Sequence, residues 1–326
     1  MNAKSNPKSQ IPNSKSQNLR FVYCNLFVIC ALLFVISLSG CQQAQLHRET
    51  QVLMGTYVEV ISPDSRAPAI VFSEIRRIEG MLSKYRAESE VSQLNKNGQV
   101  KASPEMFYIL EKSVGFWELS GGAFDVTVGP LMDLWGFTKK EFRQPSDGDI
   151  QQVLKIIGSN KIILNKQDYV VKFMLPGMRI DLGAIGKGFA VDCAVRKLKD
   201  AGITSCLINA GGQIFGLGDK FGRPWKVAIR SPRGEGIIGY LEIKDQAVST
   251  SGDYEQYFEK DKRRFSHIMN PHTGYPEESK IISATVIAGD GLTADALSTS
   301  IVVLGKDKGL ALGKKLPGVS IKLIEK

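Results

Sequence analysis

The chain has 326 residues and a formal net charge of +9 at pH 7, with 43% hydrophobic residues. A chain of that length can bury a large core in one or two domains. The mild positive charge suits an anionic ligand or a membrane surface, and the absence of a basic run with interleaved aromatics argues against nucleic acid.

Residues 1–20 carry Lys4, Lys8, Lys15 and Arg20 with no acidic residue, and an apolar run from about Phe21 to Leu38 follows. These read as the n-region and h-region of an export signal. The run ends in Leu38-Ser39-Gly40-Cys41, which resembles a bacterial lipobox, with Cys41 as the acylated first residue of the mature chain. An uncleaved anchor is the alternative, since about 18 apolar residues just span a bilayer. Either way the bulk of the chain is expected outside the cytoplasm, in the cell envelope. The organisation expected is a signal peptide over 1–40, a tether over 41–49 and a catalytic domain over 50–326. Of the five cysteines, Cys24 and Cys30 go with the leader, and Cys193 and Cys206 are expected as buried thiols without metal-like spacing.

Thr50 to Ser62 alternates like a strand, with Met54-Gly55-Thr56 inside it. Helical periodicity predicts an amphipathic helix over 69–82 and another over 104–120, and Ser89 is a suitable N-cap for a short helix reaching Leu94. Residues 138–149 are polar and rich in breakers, as an exposed insertion would be. A short helix over 151–156 and strands over 161–165 and 169–174 lead to the stretch Arg179 to Asp192, R-I-D-L-G-A-I-G-K-G-F-A-V-D. Its first half reads as a strand end and its second half opens a helix. Gly183, Gly186 and Gly188 fill the join, where glycine permits positive φ and close approach, and helix N-terminal amides favour an anion. The spacing is neither a Walker A loop nor a dinucleotide fingerprint. Beyond it come strands over 206–209, 226–230, 237–243, 247–251 and 282–288, a sharp turn at Gly211-Gly212, a helix over 293–304 and a closing segment over 318–324. Strands outnumber crossover helices, which predicts an α+β fold with mainly antiparallel sheets and packed helices.

Asp295 and Thr299 lie four apart at the start of the last long helix and so share a face, offering hard oxygen ligands suited to Mg²⁺. His267, one of three histidines, lies in a turn-rich segment and is a candidate proton acceptor. Asp125, Asp181, Lys187 and Tyr85 complete a set of polar or aromatic groups in glycine-rich turns. No serine elbow, zinc motif or cysteine cluster is present, which argues against catalysis by a zinc site or a cysteine nucleophile.

In order, M-G-T (54–56), S-K-Y-R-A-E-S-E-V-S-Q-L-N (83–95), G-G-A-F-D-V-T-V-G-P (121–130), D-L-G-A-I-G-K-G (181–188), N-A-G-G (209–212), T-S-G-D-Y (250–254), S-H-I-M-N-P-H-T-G (266–274) and A-D-A-L-S-T (294–299) resemble the ApbE family of FAD:protein FMN transferases. The resemblance implies a T-fold-like architecture and a Mg²⁺-dependent enzyme that cleaves FAD, joins FMN to a threonine of an acceptor protein by a phosphoester and releases AMP. It matches Met54, Tyr85, Ala123, Phe124, Asp125, Asp181, Lys187, Ile268 and Met269 to contacts with the flavin nucleotide. It matches the Ala184 carbonyl, Asp295 and Thr299 to metal ligands and His267 to the base. Asn270 departs from the family, where Asp more often precedes the proline. The implied partners are FAD, the membrane through lipidated Cys41, and an acceptor protein belonging to a membrane redox complex. A periplasmic FAD pyrophosphatase and a non-catalytic flavin-binding lipoprotein are the alternatives.

Overall fold

The structure is a computed structural model that describes residues 45–326 besides Met1. The expected signal peptide beyond Met1, and Cys41, therefore lie outside the described residues. Among the described residues, no helix is long and apolar enough to cross a membrane.

Part of the stretch expected to be a tether is strand, because polar His47, Arg48 and Glu49 open β1 (His47–Leu53). Backbone pairing makes no demand on side-chain polarity at a sheet edge, and β1 pairs along its full length with β2 (Thr56–Ser62). Met54 and Gly55 form the hairpin turn, both at positive φ, so the single alternating run expected over 50–62 is two strands. Helix α1 (Ala67–Leu82) buries Val71, Ile75, Ile78 and Leu82 at helical spacing. The Ser89 hydroxyl accepts the Ser92 amide and so starts α2 (Glu90–Asn97), as the sequence predicts. Ser103 caps α3 (Pro104–Leu119) in the same way. Short helices α4 (Gly129–Leu134) and α5 (Asp147–Leu154) follow. A small sheet of β3 (Gln99–Lys101), β4 (Ile162–Asn165) and β5 (Val170–Phe173) leads to α6 (Gly186–Asp200).

The second half contributes β6 (Cys206–Ala210), β7 (Gln213–Leu217), β8 (Trp225–Arg230), β9 (Ile237–Ile243) and β10 (Gln246–Gly252). It continues with β11 (Tyr257–Lys260), β12 (Arg263–Ser266), β13 (Ile281–Ala288), α7 (Gly291–Leu304), α8 (Lys306–Gly313) and β14 (Ser320–Glu325). Seven strands form one sheet in the order β1-β2-β6-β7-β10-β13-β14, antiparallel throughout. The α+β expectation holds.

Side-chain alternation divides this sheet. Val58, Val60, Ile208, Phe215, Ala247 and Val286 join the core under α1, α6 and α7, while Ile61, Ile214 and Val248 face the other way and pack with Trp225, Val227 and Ile243 of the β8–β9 hairpin. A satellite cluster around Trp135 collects Leu131, Ile150, Phe265 and Met269. Cys193 and Cys206 are both free and buried, and burial pushes each thiol up to about 12.

Candidate active site

Site residues converge where α6 and α7 begin. Contrary to expectation, Gly183, Gly186 and Gly188 all avoid positive φ. What demands glycine at 188 is proximity: a Cβ there would stand 2.2 Å from the Gly291 carbonyl oxygen. The two helix starts touch through their backbones. Asp192 secures the contact by accepting the Gly291 amide at 2.6 Å and the Leu292 amide at 2.9 Å, while the Asp290 side chain caps Thr293 N at 2.8 Å. These bonds satisfy amides that a helix start leaves unpaired. Burial pushes the Asp192 carboxyl up to about 7, against the opposing pull of its two amide bonds.

This junction orients Asp295, which is buried at 3% exposure. The Gly188 amide donates to Asp295 Oδ2 at 3.0 Å, and the Ser249 hydroxyl donates to Oδ1 at 3.3 Å. In an unbroken helix the Gly188 amide would point at the Ala184 carbonyl. Here it is diverted, and among the described residues no backbone amide bonds Ala184 O. One turn along α7, Thr299 Oγ1 lies 3.1 Å from Ser251 Oγ. Ser249 and Ser251 share the β10 face of Ala247, so the period of two delivers both hydroxyls to α7.

His267 follows β12 and is half-buried. Its backbone amide donates to Gln256 O at 2.9 Å, and its Nδ1 lies 3.1 Å from the same oxygen. A carbonyl can only accept, so Nδ1 carries the proton and Nε2 keeps its lone pair. Burial first and then the Lys187 charge lower the imidazole, the Gln256 bond and Asp181 oppose them, and the net result is about 4. Glu255 is exposed, yet the protein packed around its carboxyl pushes it up to about 6, with Lys187 pulling it down and Asp295 pushing it up. Asp181, Lys187, Glu255, His267 and Asp295 therefore act on one another's fields across a single cleft.

Asp181 is fixed by its own amide, which donates to Val126 O at 2.7 Å, and its Oδ1 accepts the Gly183 amide at 2.9 Å. Its Oδ2 bonds Lys84 Nζ at 2.6 Å. Tyr85, next in the chain, is 70% exposed. The Met54 amide donates to Glu79 Oε1 at 2.9 Å, which sets the Met54 side chain beside Gly186. The side chains of Ala123, Phe124, Asp125, Ile268 and Met269 turn inward. The Asp125 carboxylate is consumed by Thr127 N and Oγ1 (2.8 and 2.6 Å) and Ser159 N and Oγ (3.2 and 2.8 Å). Phe124 packs edge-on against Phe116. These five side chains are enclosed by protein, and the Phe124 ring presents no open aromatic face.

For a divalent metal the donor set is suitable. A carboxylate, a hydroxyl and a carbonyl free of backbone amides are hard oxygens of the kind Mg²⁺ takes when substrate and water complete its shell. The other acidic cluster, Glu74 and Glu105 beside Cys193, is filled by Arg77, whose guanidinium bonds both carboxylates.

A model of the ApbE family matches residues 54–322, which takes in the whole cleft. The chain belongs to the ApbE family. The FAD:protein FMN transferase of Haemophilus influenzae is 32% identical over 313 residues, covering 88% of this chain and 89% of that protein. The crystal structure of the ApbE protein from Thermotoga maritima superposes with a TM-score of 0.80 at 33% identity, over 86% of this chain and 94% of that one. The flavin transferase ApbE from Vibrio cholerae gives 0.77 at 29% identity, over 87% and 94%. Sequence reasoning singled out neither Lys84, Asp192, Glu255 nor Ser249. Asp192 closes the central stretch at helical spacing from Gly188, a signal that it shares a face with the helix start. Lys84 lies in a quoted motif and Glu255 directly follows one, but both owe their place in the cleft to segments far along the chain.

Proposed function

We propose that this ApbE-family chain is an FAD:protein FMN transferase that is Mg²⁺-dependent and acts on a threonine of an acceptor protein. The observation that carries the reading is a neutral imidazole with Nε2 free, in the same cleft as the Asp295 carboxylate that the Gly188 amide holds in place. In the reaction, the threonine oxygen forms a bond to the FMN phosphorus, the pyrophosphate P–O bond breaks, and AMP leaves. His267 Nε2 takes the threonine proton. The Gln256 carbonyl stabilises the resulting imidazolium through Nδ1–H, as a base in general catalysis requires. Ala184 O, Asp295 and Thr299 would hold Mg²⁺, which supplies positive charge to the phosphate oxygens. Lys187 adds a fixed cation to the same cleft, and Asp181 and Tyr85 orient the nucleotide. Phosphoryl transfer depends mainly on such positioning and charge.

The test is incubation of FAD and Mg²⁺ with and without an acceptor, following AMP and the mass of the acceptor. Acceptor-dependent AMP release with a flavinyl mass on threonine is expected. Equal AMP release without acceptor marks a pyrophosphatase, and no AMP in either case marks a binder. The location follows from the leader: the chain is anchored to a membrane through lipidated Cys41 and faces the periplasm or exterior, where it meets a subunit of a redox complex. Cys41→Ser should leave the protein unprocessed or soluble, and unchanged membrane partition would rule out the lipid.

A further inference from the structure

Beside Asp295 and Thr299 runs a row of serine hydroxyls whose arrangement the reaction itself does not explain. Asp295, Ser298 and Thr299 share one face of α7, and Ser249 and Ser251 meet it from β10. Ser249, Ser251 and Ser298 are buried, and Thr299 is half-buried. The Ser298 hydroxyl donates to the backbone carbonyl of Asp295 at 2.9 Å. Ser251 Oγ lies 2.8 Å from Ser298 Oγ and 3.1 Å from Thr299 Oγ1. Ser249 closes the row, donating to Asp295 Oδ1 and standing 3.4 Å from Ser298 Oγ. A hydroxyl has one hydrogen and two lone pairs, and a carbonyl only accepts. With its hydrogen on the Asp295 carbonyl, Ser298 can only accept from Ser251. Ser251, its own hydrogen thus committed, can only accept from Thr299. The Thr299 hydrogen is thereby turned toward Ser251, and both lone pairs of Thr299 stay free.

We propose that Ser251, backed by Ser298, is a positioning residue of the metal site. The pair fixes the rotation of the Thr299 hydroxyl so that it offers lone pairs and not its hydrogen to the ion, and so favours Mg²⁺ over a larger divalent cation. An unanchored threonine hydroxyl rotates to suit its surroundings and has to be ordered when an ion binds. Here the sheet supplies that order in advance, which lowers the cost of binding. Mg²⁺ demands near-ideal octahedral geometry at about 2.0–2.1 Å, whereas Ca²⁺ takes about 6–8 oxygens at about 2.3–2.6 Å in flexible geometry. A pre-set ligand therefore serves the smaller ion more. The inference rests on the Mg²⁺-dependent transferase reading, because it takes Asp295 and Thr299 as ligands of that ion.

The test follows melting temperature with FAD present and acceptor absent, at rising Mg²⁺ or Ca²⁺, and reads the half-saturating concentration of each ion, since an ion that binds the native state raises the melting temperature. Loss of one hydrogen bond should raise the Mg²⁺ half-saturation of Ser251→Ala by about three- to tenfold, while that of Ca²⁺ moves by less than about twofold. Ser251→Cys keeps the volume with a poor hydrogen-bonding group and should behave like Ser251→Ala, whereas Ser251→Thr should recover most of the Mg²⁺ affinity. Ser298→Ala should show the same selective loss, and combining it with Ser251→Ala should add little, because a single chain is already broken. Ser300→Ala is the control: it removes a buried α7 hydroxyl bonded to Ala296 O at 2.7 Å and should leave both ions unchanged. Mg²⁺ half-saturation within about twofold of wild type in both Ser251→Ala and Ser251→Cys overturns the proposal, as does an equal rise for the two ions or a fully additive loss in the double variant. Wild-type protein whose melting temperature Mg²⁺ does not raise would instead remove the Mg²⁺ reading, and this inference with it.

Discussion

Gly188→Ala tests the junction on which the site is built. The added Cβ would meet Gly291 O at 2.2 Å, its carbonyl carbon at 2.5 Å and Leu292 N at 2.8 Å, all backbone atoms that cannot rotate away. Relief requires α6 and α7 to separate by on the order of 1 Å, and overpacking of this kind costs about 1–3 kcal/mol. Separation also lengthens the Gly188 amide bond to the buried Asp295 carboxylate, a charged hydrogen bond worth about 1.5–3 kcal/mol. The better helix propensity of alanine returns about 1 kcal/mol, leaving a net loss of about 1.5–5 kcal/mol. At about 2–4 °C per kcal/mol for a domain of this size, the melting temperature followed by circular dichroism should fall by about 3–20 °C. Mg²⁺ half-saturation should rise at the same time. Gly80→Ala is the control: it lies in α1 with nothing within 4 Å of its Cβ, and should gain up to about 1 kcal/mol. A Gly188→Ala protein that melts within about 1 °C of wild type, with unchanged Mg²⁺ dependence, would refute the argument.

Asp295→Asn should abolish Mg²⁺-dependent turnover. It should also lower stability, since Asp295 is buried with two bonds in place rather than at an open helix start; full activity at low magnesium would remove Asp295 from the site. His267→Gln should keep FAD binding and slow transfer by about a hundredfold to ten-thousandfold, and a rate near wild type would show the base lies elsewhere. Because His267 titrates near 4 when folded and near 6.5 unfolded, the native state binds fewer protons between those values. Wild type should thus lose up to roughly 3 kcal/mol relative to His267→Gln as pH falls from 6.5 to 4, while the transfer rate of the neutral base holds to about pH 5. A rate that drops at pH 6.5 would mean an imidazole open to water. Cys193 and Cys206 should resist alkylation in the native protein and react once it is unfolded, as read by peptide mapping; labelling of either in the native state would contradict its burial.

The sequence by itself determined the long helices, because each buries one stripe whose 3.6-residue spacing is written in consecutive residues such as Val71, Ile75 and Ile78. It also determined the Ser89 cap, the Gly211-Gly212 turn and the family motifs, all local features, but not the β7 strand that makes that turn a hairpin. Its failures were turns built from the wrong residues. Met54 takes a positive φ that a β-strand alternation conceals, and the β11–β12 hairpin turns on Asp261 and Lys262, both at positive φ, where Asn-Gly would have announced it.

The tertiary structure alone decided what each site residue is free to do. Asp125 and Asp181 are both carboxylates in glycine-rich turns, yet Thr127 and Ser159 consume the first while the second turns to Lys84. Asp295 is tuned by Gly188 from 107 residues away, and His267 keeps Nε2 because Gln256 takes Nδ1. Periodicity and caps report bonds within a few residues. A carboxylate's charge, a tautomer and an open carbonyl are set by partners that only the packing of distant segments brings within 3 Å, and so they became legible only in the folded chain.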